Sequence, residues 1–131
     1  MPLPLLRTHP PRLSRYASYA AAPALHNFNA TSSLPTFYVY DSYHIAPHDW
    51  QRLLTKGGDL SVRGTALDGK FIGLWLHRPH GDELYLSGFD GFYTYFASDG
   101  FSYGATPGNW NTMCRYARQK GLVCALSVAP G

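Results

Sequence analysis

Short hydrophobic runs alternate along the chain with segments whose apolar residues recur at helical spacing. The runs Thr36–Tyr40, Phe71–Leu76, Phe92–Phe96 and Leu122–Val128 are rich in aromatic and β-branched residues, which favour strands. Their nearly continuous apolar character is typical of strands covered on both faces, as in parallel sheets. The pattern therefore predicts four buried strands.

Helices are predicted between these strands. Pro47 suits a first helical turn and begins a segment that ends at Gly57-Gly58, and a short helix is predicted over His80–Leu86. The most regular amphipathic face belongs to a helix that ends at Gly121. Its apolar positions are Trp110, Met113, Cys114 and Ala117.

The first part of the chain has a different composition. Residues 1–11 hold four of the ten prolines and show no periodicity, so we expect a disordered arm there. A helix is predicted over Arg12–Ala22, and the following Pro23 ends it. The interpretation is an arm at 1–11 and one barrel-type domain at 12–131.

Strands that alternate with helices predict an α/β fold of parallel, right-handed β-α units. Four strands are too few to close an eight-stranded barrel, so we expect a partial (β/α)8 TIM barrel of about four consecutive β-α units, open rather than closed. The alternative is a complete small sheet of the flavodoxin type. It is less favoured because no Gly-rich phosphate loop follows the first strand.

The composition limits the kinds of partner that are expected for this chain. With 131 residues, 45% hydrophobic and 15% charged, the chain fits one globular domain. The net charge of +3 comes without a dense basic stripe, so no nucleic acid partner is expected. No segment approaches the roughly 20 apolar residues of a membrane span, and no targeting segment is recognised.

Three further features of the sequence bear on its chemistry. Cys114 and Cys124 lack C-x-x-C spacing and are expected to be small buried hydrophobes. Asn29 begins an Asn-Ala-Thr glycosylation acceptor, which weakly suggests a lumenal or secreted chain. His44 and His48 are separated by Pro47, so no metal site is expected, and the histidines at 77 and 80 are interpreted as solvated.

Polar and aromatic residues gather at the predicted carboxyl ends of the strands, where parallel β-α folds bind their ligands. Aromatic rings cover the C–H faces of a sugar, while carboxylate and hydroxyl oxygens pair with its hydroxyls. The structural alternatives are turn capping, inward packing of the tyrosines and a simple Asp-Gly turn. The candidate substrate-binding residues are Asp41, Tyr43, Tyr93, Tyr95, Ser98 and Asp99.

Four ordered blocks carry a family resemblance: residues 34–43, 63–72, 88–104 and 127–131. Together they resemble the glycoprotein endo-alpha-1,2-mannosidase family, glycoside hydrolase family 99, including its endomannosidase-like members. The resemblance implies a (β/α)8 barrel, a Golgi membrane-anchored enzyme without a metal or other cofactor, and retaining cleavage inside mannose-containing N-glycans.

The chain also departs from the family pattern. Ala129 stands where the family has glycine, and the family's Asn-Glu-Trp-His-Glu-Gly segment, which carries the acid and base glutamates, does not occur. Glu83 is the only glutamate and matches neither of them. No catalytic residue is therefore assigned, and the chain is expected to be inactive alone.

The resulting hypothesis is a fragment of an endo-alpha-1,2-mannosidase-like hydrolase that acts on N-linked glycans in the Golgi membrane or lumen. This chain would contribute part of the sugar-binding cleft. The alternative is a catalytically inactive truncated product or isoform that at most binds mannosides or a protein partner.

Overall fold

The computed structural model describes residues 34–129. The expected arm, the Arg12–Ala22 helix and the Asn29 acceptor lie outside these residues. Within them the strands are β1 (Thr36–Val39), β2 (Lys70–Leu74), β3 (Gly91–Tyr93) and β4 (Val123–Ala125). The α-helices are α1 (Pro47–Leu54), α2 (His80–Ser87) and α3 (Trp110–Lys120), and two 3-10 turns cover Ser42–His44 and Pro107–Asn109.

The strands form one parallel sheet in the order β1-β2-β3-β4. Each strand therefore pairs with the next one along the chain, as consecutive β-α units of a barrel do. The predicted α/β architecture of about four open units is confirmed. All four carboxyl ends lie at one edge of the sheet, called here the carboxyl edge.

Each strand is shorter than its hydrophobic run. β1 ends at Val39 because Asp41 adopts a left-handed conformation, with φ of 50°, and turns the chain out of the sheet. Beyond β2 and β3 the pairing continues only through single hydrogen bonds, such as that from the Trp75 amide to the Tyr93 carbonyl over 2.9 Å. The remaining apolar residues of these runs belong to the loops that form the candidate site.

The helices follow the local sequence signals. Pro47 occupies the first turn of α1, where its missing N–H has no partner to lose, and Asp49 lies in the same turn. α2 and α3 end at Gly88 and Gly121, whose φ angles of 90° and 70° suit glycine. The helix stop predicted at Gly121 is confirmed.

The hydrophobic core lies between the helices and one face of the sheet. Phe92 and Met113 are fully buried in this layer. On the opposite face Tyr38 remains 50% exposed, so β1 is not covered on both sides within residues 34–129, in contrast to the prediction. The core cluster consists of Leu54, Trp75, Leu84, Phe89, Phe92, Met113 and Ala117.

Cys114 and Cys124 form a disulfide, so the expectation of two free buried cysteines was wrong. α3 reverses at Gly121 and leads directly into β4, which brings the two Cα atoms to 5.4 Å. Their ten-residue separation alone did not reveal this approach. None of the helices between residues 34 and 129 is long and apolar enough to cross a membrane.

Candidate functional site at the carboxyl edge

The loop after β1 is fixed to the end of β2. Ser42 is buried, and its hydroxyl oxygen accepts the amide N–H of Leu74 over 2.8 Å. Trp50 of α1 donates its indole N–H to the Ser42 carbonyl over 2.9 Å. These two bonds hold the short Ser42–His44 turn against the carboxyl edge and therefore position the residues on either side of Ser42.

Asp41 and Tyr43 form a hydrogen-bonded pair in this turn. The Tyr43 phenol donates to Oδ1 of Asp41 over 3.1 Å, and Nε2 of His44 lies 3.8 Å from Oδ2. Burial raises the pKa of Tyr43, and the hydrogen bond and charge of Asp41 raise it further. At neutral pH the pair therefore presents a neutral phenol beside carboxylate oxygens, which can accept hydrogen bonds from hydroxyl groups.

The ring of His80 packs against the ring of Tyr43, a contact that the sequence did not reveal. It is only 8% exposed, so the interpretation of a solvated histidine was wrong for this residue. Its ring stacks on that of Tyr43, with centroids 4.9 Å apart and planes 7° apart. Its Nδ1 accepts the backbone N–H groups of Leu76 and His77, each over 3.1 Å.

The two N–H donors determine the protonation state of His80. Because both point at Nδ1, this atom carries a lone pair and the proton of the neutral ring is on Nε2. Burial lowers the pKa of His80, an effect that the charge of Glu83 opposes and that of His77 reinforces. His80 is thus a neutral acceptor that fixes the loop after β2 and the face of Tyr43. The only sequence signal for it was a histidine directly after Pro79 at a predicted helix start.

Aromatic rings surround this pair. Tyr93 packs edge-on against Tyr38 at 5.3 Å, and Tyr95 packs edge-on against Tyr40 at 6.3 Å and Phe101 at 6.2 Å. Burial raises the pKa of Tyr93 to about 12, with contributions from the charge of Asp41 and from Tyr40. Tyr40 and Asp41 adjoin in the chain, so these ring contacts place Tyr95 beside the turn that holds Asp41.

Tyr93 is half-buried and Tyr95 is exposed. Four of the six predicted residues therefore lie at the carboxyl edge: Asp41 and Tyr43 directly after β1, Tyr93 at the end of β3 and Tyr95 just beyond it.

Ser98 and Asp99 lie in an exposed loop. The Ser98 carbonyl accepts the Phe101 amide over 3.1 Å, and the loop closes through Gly100, whose amide donates to Ala105 over 3.0 Å. Within residues 34–129 the side chains of Ser98 and Asp99 form no hydrogen bond to Asp41 or Tyr43. The contacts thus show the turn-forming role, and a substrate contact of this loop stays a prediction.

Thr94 and Ser127 join the ends of β3 and β4 and were missed from the sequence. Thr94 is fully buried, and its hydroxyl oxygen accepts the Ser127 amide over 2.9 Å. The Ser127 hydroxyl also donates to the Thr94 carbonyl. Both are polar residues inside predicted apolar strands, and this was the available signal. They fix the spacing of the two strand ends without presenting a free polar group.

Glu83, His44 and His48 are further titratable residues whose positions bear on a metal or acid–base role. Glu83 lies in the first turn of α2, and its carbonyl accepts the Ser87 hydroxyl over 2.6 Å. His44 lies in the 3-10 turn and His48 in α1, so they do not share a helical face. Across residues 34–129 no three histidine, cysteine, aspartate or glutamate side chains converge as metal ligands.

Comparison with known proteins identifies relatives of this chain. The family model described as Glycosyl hydrolase family 99 matches residues 14–131. The glycoprotein endo-alpha-1,2-mannosidase of Rattus norvegicus is 43% identical over 115 residues, which are 86% of this chain and 25% of that protein. The glycoprotein endo-alpha-1,2-mannosidase-like protein of Homo sapiens is 46% identical over 99 residues, 76% of this chain and 22% of that protein.

Solved structures agree with the sequence matches. The GH99 endo-alpha-mannosidase from Bacteroides thetaiotaomicron superimposes with a TM-score of 0.83 at 39% identity, and the match covers 92% of this chain and 35% of that one. The chain spans about a quarter of the length of the curated relatives it matches.

Proposed function

The chain belongs to glycosyl hydrolase family 99, and we propose on this basis that its carboxyl edge is part of the mannoside-binding wall of an endo-alpha-mannosidase-like glycoside hydrolase. The observation that carries the proposal is the Asp41–Tyr43 pair, held between Ser42 and His80 at the end of β1. Ligands of parallel β-α folds bind at this edge. The relatives named endo-alpha-1,2-mannosidase support an α-linked mannoside as the substrate class. We propose that an N-glycan carries it.

The chemistry of the pair fits a sugar. Asp41 offers carboxylate oxygens to hydroxyl donors, and charge-assisted bonds of this kind are stronger than neutral ones. Tyr93 and Tyr95 offer aromatic surface beside it, of which the exposed Tyr95 is the more accessible. Aromatic surface next to charged acceptors matches the alternating C–H faces and hydroxyl groups of a pyranose.

We propose further that these residues bind the sugar and do not transfer protons to or from it. Glycosidases use a pair of carboxyl groups as acid and base or nucleophile. Asp41 has no second carboxylate among its hydrogen-bonding partners, and Glu83 is the only glutamate in the chain. The raised pKa values of Tyr43 and Tyr93 keep both phenols neutral, so neither acts as a general base at neutral pH.

For location we propose the Golgi lumen or the lumenal side of its membrane. The Cys114–Cys124 disulfide supports an oxidising compartment, because such bonds form and persist in the secretory pathway and are rare in the cytosol. Fractionation with a thiol-alkylating label would test this. Free, alkylated cysteines in protein isolated from cells would contradict the proposal.

A calorimetric titration of the chain with α-1,2-mannobiose tests the binding role. Tyr43→Phe removes the phenolic donor that orients Asp41 and should weaken binding about tenfold, equivalent to about 1.4 kcal/mol. Tyr85→Phe is the matched control, since Tyr85 is an exposed tyrosine on α2 away from the pair. Equal affinities of the two variants would refute the assignment, and release of mannose from a glycan by this chain would refute the non-catalytic role.

A further inference from the structure

Two histidine rings contact the ring of Tyr43, and they differ in how firmly they are held. The ring of His80 lies nearly parallel to it, with planes 7° apart, and His80 is only 8% exposed. The ring of His44 is tilted by 44°, and its side chain is 69% exposed. A close-packed ring restricts its neighbour more than an exposed ring does. The orientation of the Tyr43 phenol, which donates to Asp41, therefore depends on the position of His80.

The position of His80 depends in turn on the lone pair of its Nδ1 atom. This atom accepts the backbone N–H groups of Leu76 and His77, each over 3.1 Å, and so ties α2 to the loop after β2. Protonation of the neutral ring occurs at this atom, because Nε2 already carries a hydrogen. The added N–H faces two other N–H groups. Protonation therefore breaks both hydrogen bonds, and the ring and the loop cannot both keep their places.

A small polar cavity adjoins Tyr43 and His80. Its volume of about 10 Å³ is enough for about one water molecule, and Ser42, Glu83 and Ser87 also line it. A water molecule at this place can solvate the imidazolium ion. The charged ring thus has an alternative to its contacts with the loop, which makes the protonated form accessible within the folded chain.

The groups that act on the charge of His80 come from the elements packed against it. Burial opposes protonation most strongly and lowers the pKa of His80, whereas the charge of Glu83 on the same helix raises it and that of His77, in the loop after β2, lowers it. Tyr43 stays neutral, because burial and the hydrogen bond to Asp41 raise the pKa of its phenol. Helix α1 and strand β2 contribute only uncharged residues to the cavity. His80 is therefore neutral at neutral pH and takes up a proton only below its ordinary range.

We propose that neutral His80 is a positioning residue for the Asp41–Tyr43 pair, and that protonation of its ring releases Tyr43 and weakens mannoside binding at the carboxyl edge. This role rests on the function proposed for that edge. His80 does not touch the sugar and acts through the ring of Tyr43. Binding is therefore strongest at neutral pH and weakens as the pH falls through the pKa of folded His80.

Thermodynamic linkage gives the direction and size of two effects. Release of Tyr43 removes the contribution that Tyr43→Phe removes, so the protonated chain should bind α-1,2-mannobiose about tenfold more weakly. By reciprocity the sugar favours the neutral ring, so saturating mannobiose should lower the pH midpoint of His80 protonation by about one pH unit. A histidine that only stabilises the fold does not produce the second effect.

Two measurements on the chain test this role. Calorimetric titrations with α-1,2-mannobiose measure the affinity from about pH 7 downward, through the range in which His80 takes up its proton. The imidazole Cε1–H signal of His80, assigned by its loss in His80→Asn, gives the pH midpoint by NMR with and without the sugar. Nuclear Overhauser contacts between the His80 and Tyr43 rings should be present at neutral pH and disappear as His80 becomes charged. Dispersed Trp50 and Trp110 indole signals at the lowest pH show that the chain is still folded.

Three asparagine variants assign the pH dependence to one histidine. His80→Asn keeps an acceptor for the Leu76 and His77 amides but does not titrate, so its affinity should change less than about twofold over the same range. His44→Asn removes the histidine whose Nε2 lies 3.8 Å from Asp41, and His77→Asn removes the exposed ring whose centroid is 5.4 Å from that of His80. Both of these variants should keep the tenfold change.

Failure of this role and failure of the proposed function give different results. If mannobiose does not bind at neutral pH, the function proposed for the carboxyl edge is wrong, and the ring contacts in the free chain alone decide whether His80 holds Tyr43. A tenfold change that persists in His80→Asn, or that is absent from His44→Asn, assigns the pH dependence to another group. Ring contacts that survive protonation of His80, a midpoint that the sugar does not move, or unfolding of the chain before His80 is protonated would each overturn the proposal.

Discussion

Arg63 and Asp90 are 27 residues apart in sequence, and their side chains meet at 3.0 Å between Nη2 and Oδ2. The same carboxylate oxygen accepts the amide of Phe71 at the start of β2 over 2.8 Å. All five N–H donors of the guanidinium are paired in this way. Their acceptors are the carbonyls of Leu54, Gly69 and Gly88 and the carboxylates of Asp68 and Asp90.

Arg63 therefore holds the amino edge of the sheet together, opposite the candidate site. Its side chain is 13% exposed, so loss of its planar fork leaves several acceptors unpaired away from water. Burial alone would raise the pKa of Asp68, but the Gly64 and Gly69 amides and the Arg63 guanidinium lower it overall. The carboxylate stays charged and paired at neutral pH.

Arg63→Lys should destabilise the fold by about 3 kcal/mol, because an ammonium group has three donors and cannot reproduce the fork. Arg52→Lys is the matched control. Arg52 binds Asp59 over 2.8 Å at the surface, where a salt bridge contributes at most about 1 kcal/mol. Urea unfolding measures both free energies, and a similar small loss in the two variants would contradict the role given to Arg63.

His80 predicts a pH dependence of stability. Its pKa is lowered in the folded state, mainly by burial, so below its ordinary value of about 6.5 the unfolded chain binds more protons than the folded chain. Stability should therefore fall as the pH drops below about 6.5 and level off once the pH is below the pKa of folded His80. Urea unfolding between about pH 7 and pH 5 measures this slope.

His80→Asn distinguishes the role of His80 as a hydrogen-bond acceptor from its role as a titrating group. The Asn oxygen can take the place of Nδ1 for the Leu76 and His77 amides, so the variant should retain part of the stability and lose the pH slope. His80→Ala should lose about 1–3 kcal/mol, since both amides lose their acceptor. His77→Asn, an exposed control, should keep the slope; a slope that persists in His80→Asn would assign it to another group.

The order of elements could be predicted from the sequence because its signals are local. These signals are the proline at the start of α1, the glycine after α3 and the short apolar runs, and each determines the structure of adjacent residues only. The parallel sheet follows from the alternation of strands and helices. The placement of Asp41 and Tyr43 at a strand end was predictable for the same reason.

What the sequence did not reveal depends on approach in three dimensions. The His80 ring is buried because α2 packs beneath the turn after β1, and the cysteines pair because α3 folds back on β4. The loop of Ser98 and Asp99 is a case that stays open. A polar pair after a strand suggested a binding site, and its observed hydrogen bonds close its own turn, so a substrate contact there stays a prediction.

Reduction of the disulfide should lower stability. The Cys114–Cys124 bond closes a short loop of ten residues, and restricting such a loop in the unfolded chain is worth about 2–3 kcal/mol. Thermal unfolding with and without dithiothreitol measures the loss. The double variant Cys114→Ser, Cys124→Ser should unfold at the temperature of the reduced protein and show no response to the reductant. A melting temperature unaffected by reductant would indicate that the bond contributes nothing.

Gly104 fixes the loop after β3 against the end of β2, and this contact can be tested by adding one methyl group. Its amide donates to Leu76 over 3.2 Å, and a Cβ atom there would lie 2.3 Å from the backbone carbonyl oxygen of Trp75. Gly108, four residues later, has no atom within 4 Å of an added Cβ.

Gly104→Ala should therefore destabilise the fold by about 1–3 kcal/mol through overpacking against rigid backbone. Gly108→Ala should be neutral or stabilise by up to about 1 kcal/mol, since it restricts only the unfolded chain. Denaturant midpoints with unchanged slopes measure both effects. Because the loop from 98 to 106 depends on this contact, Gly104→Ala should also increase hydrogen exchange at the Gly100 and Ala105 amides, and equal behaviour of the two variants would show that the loop is not held by close packing at Gly104.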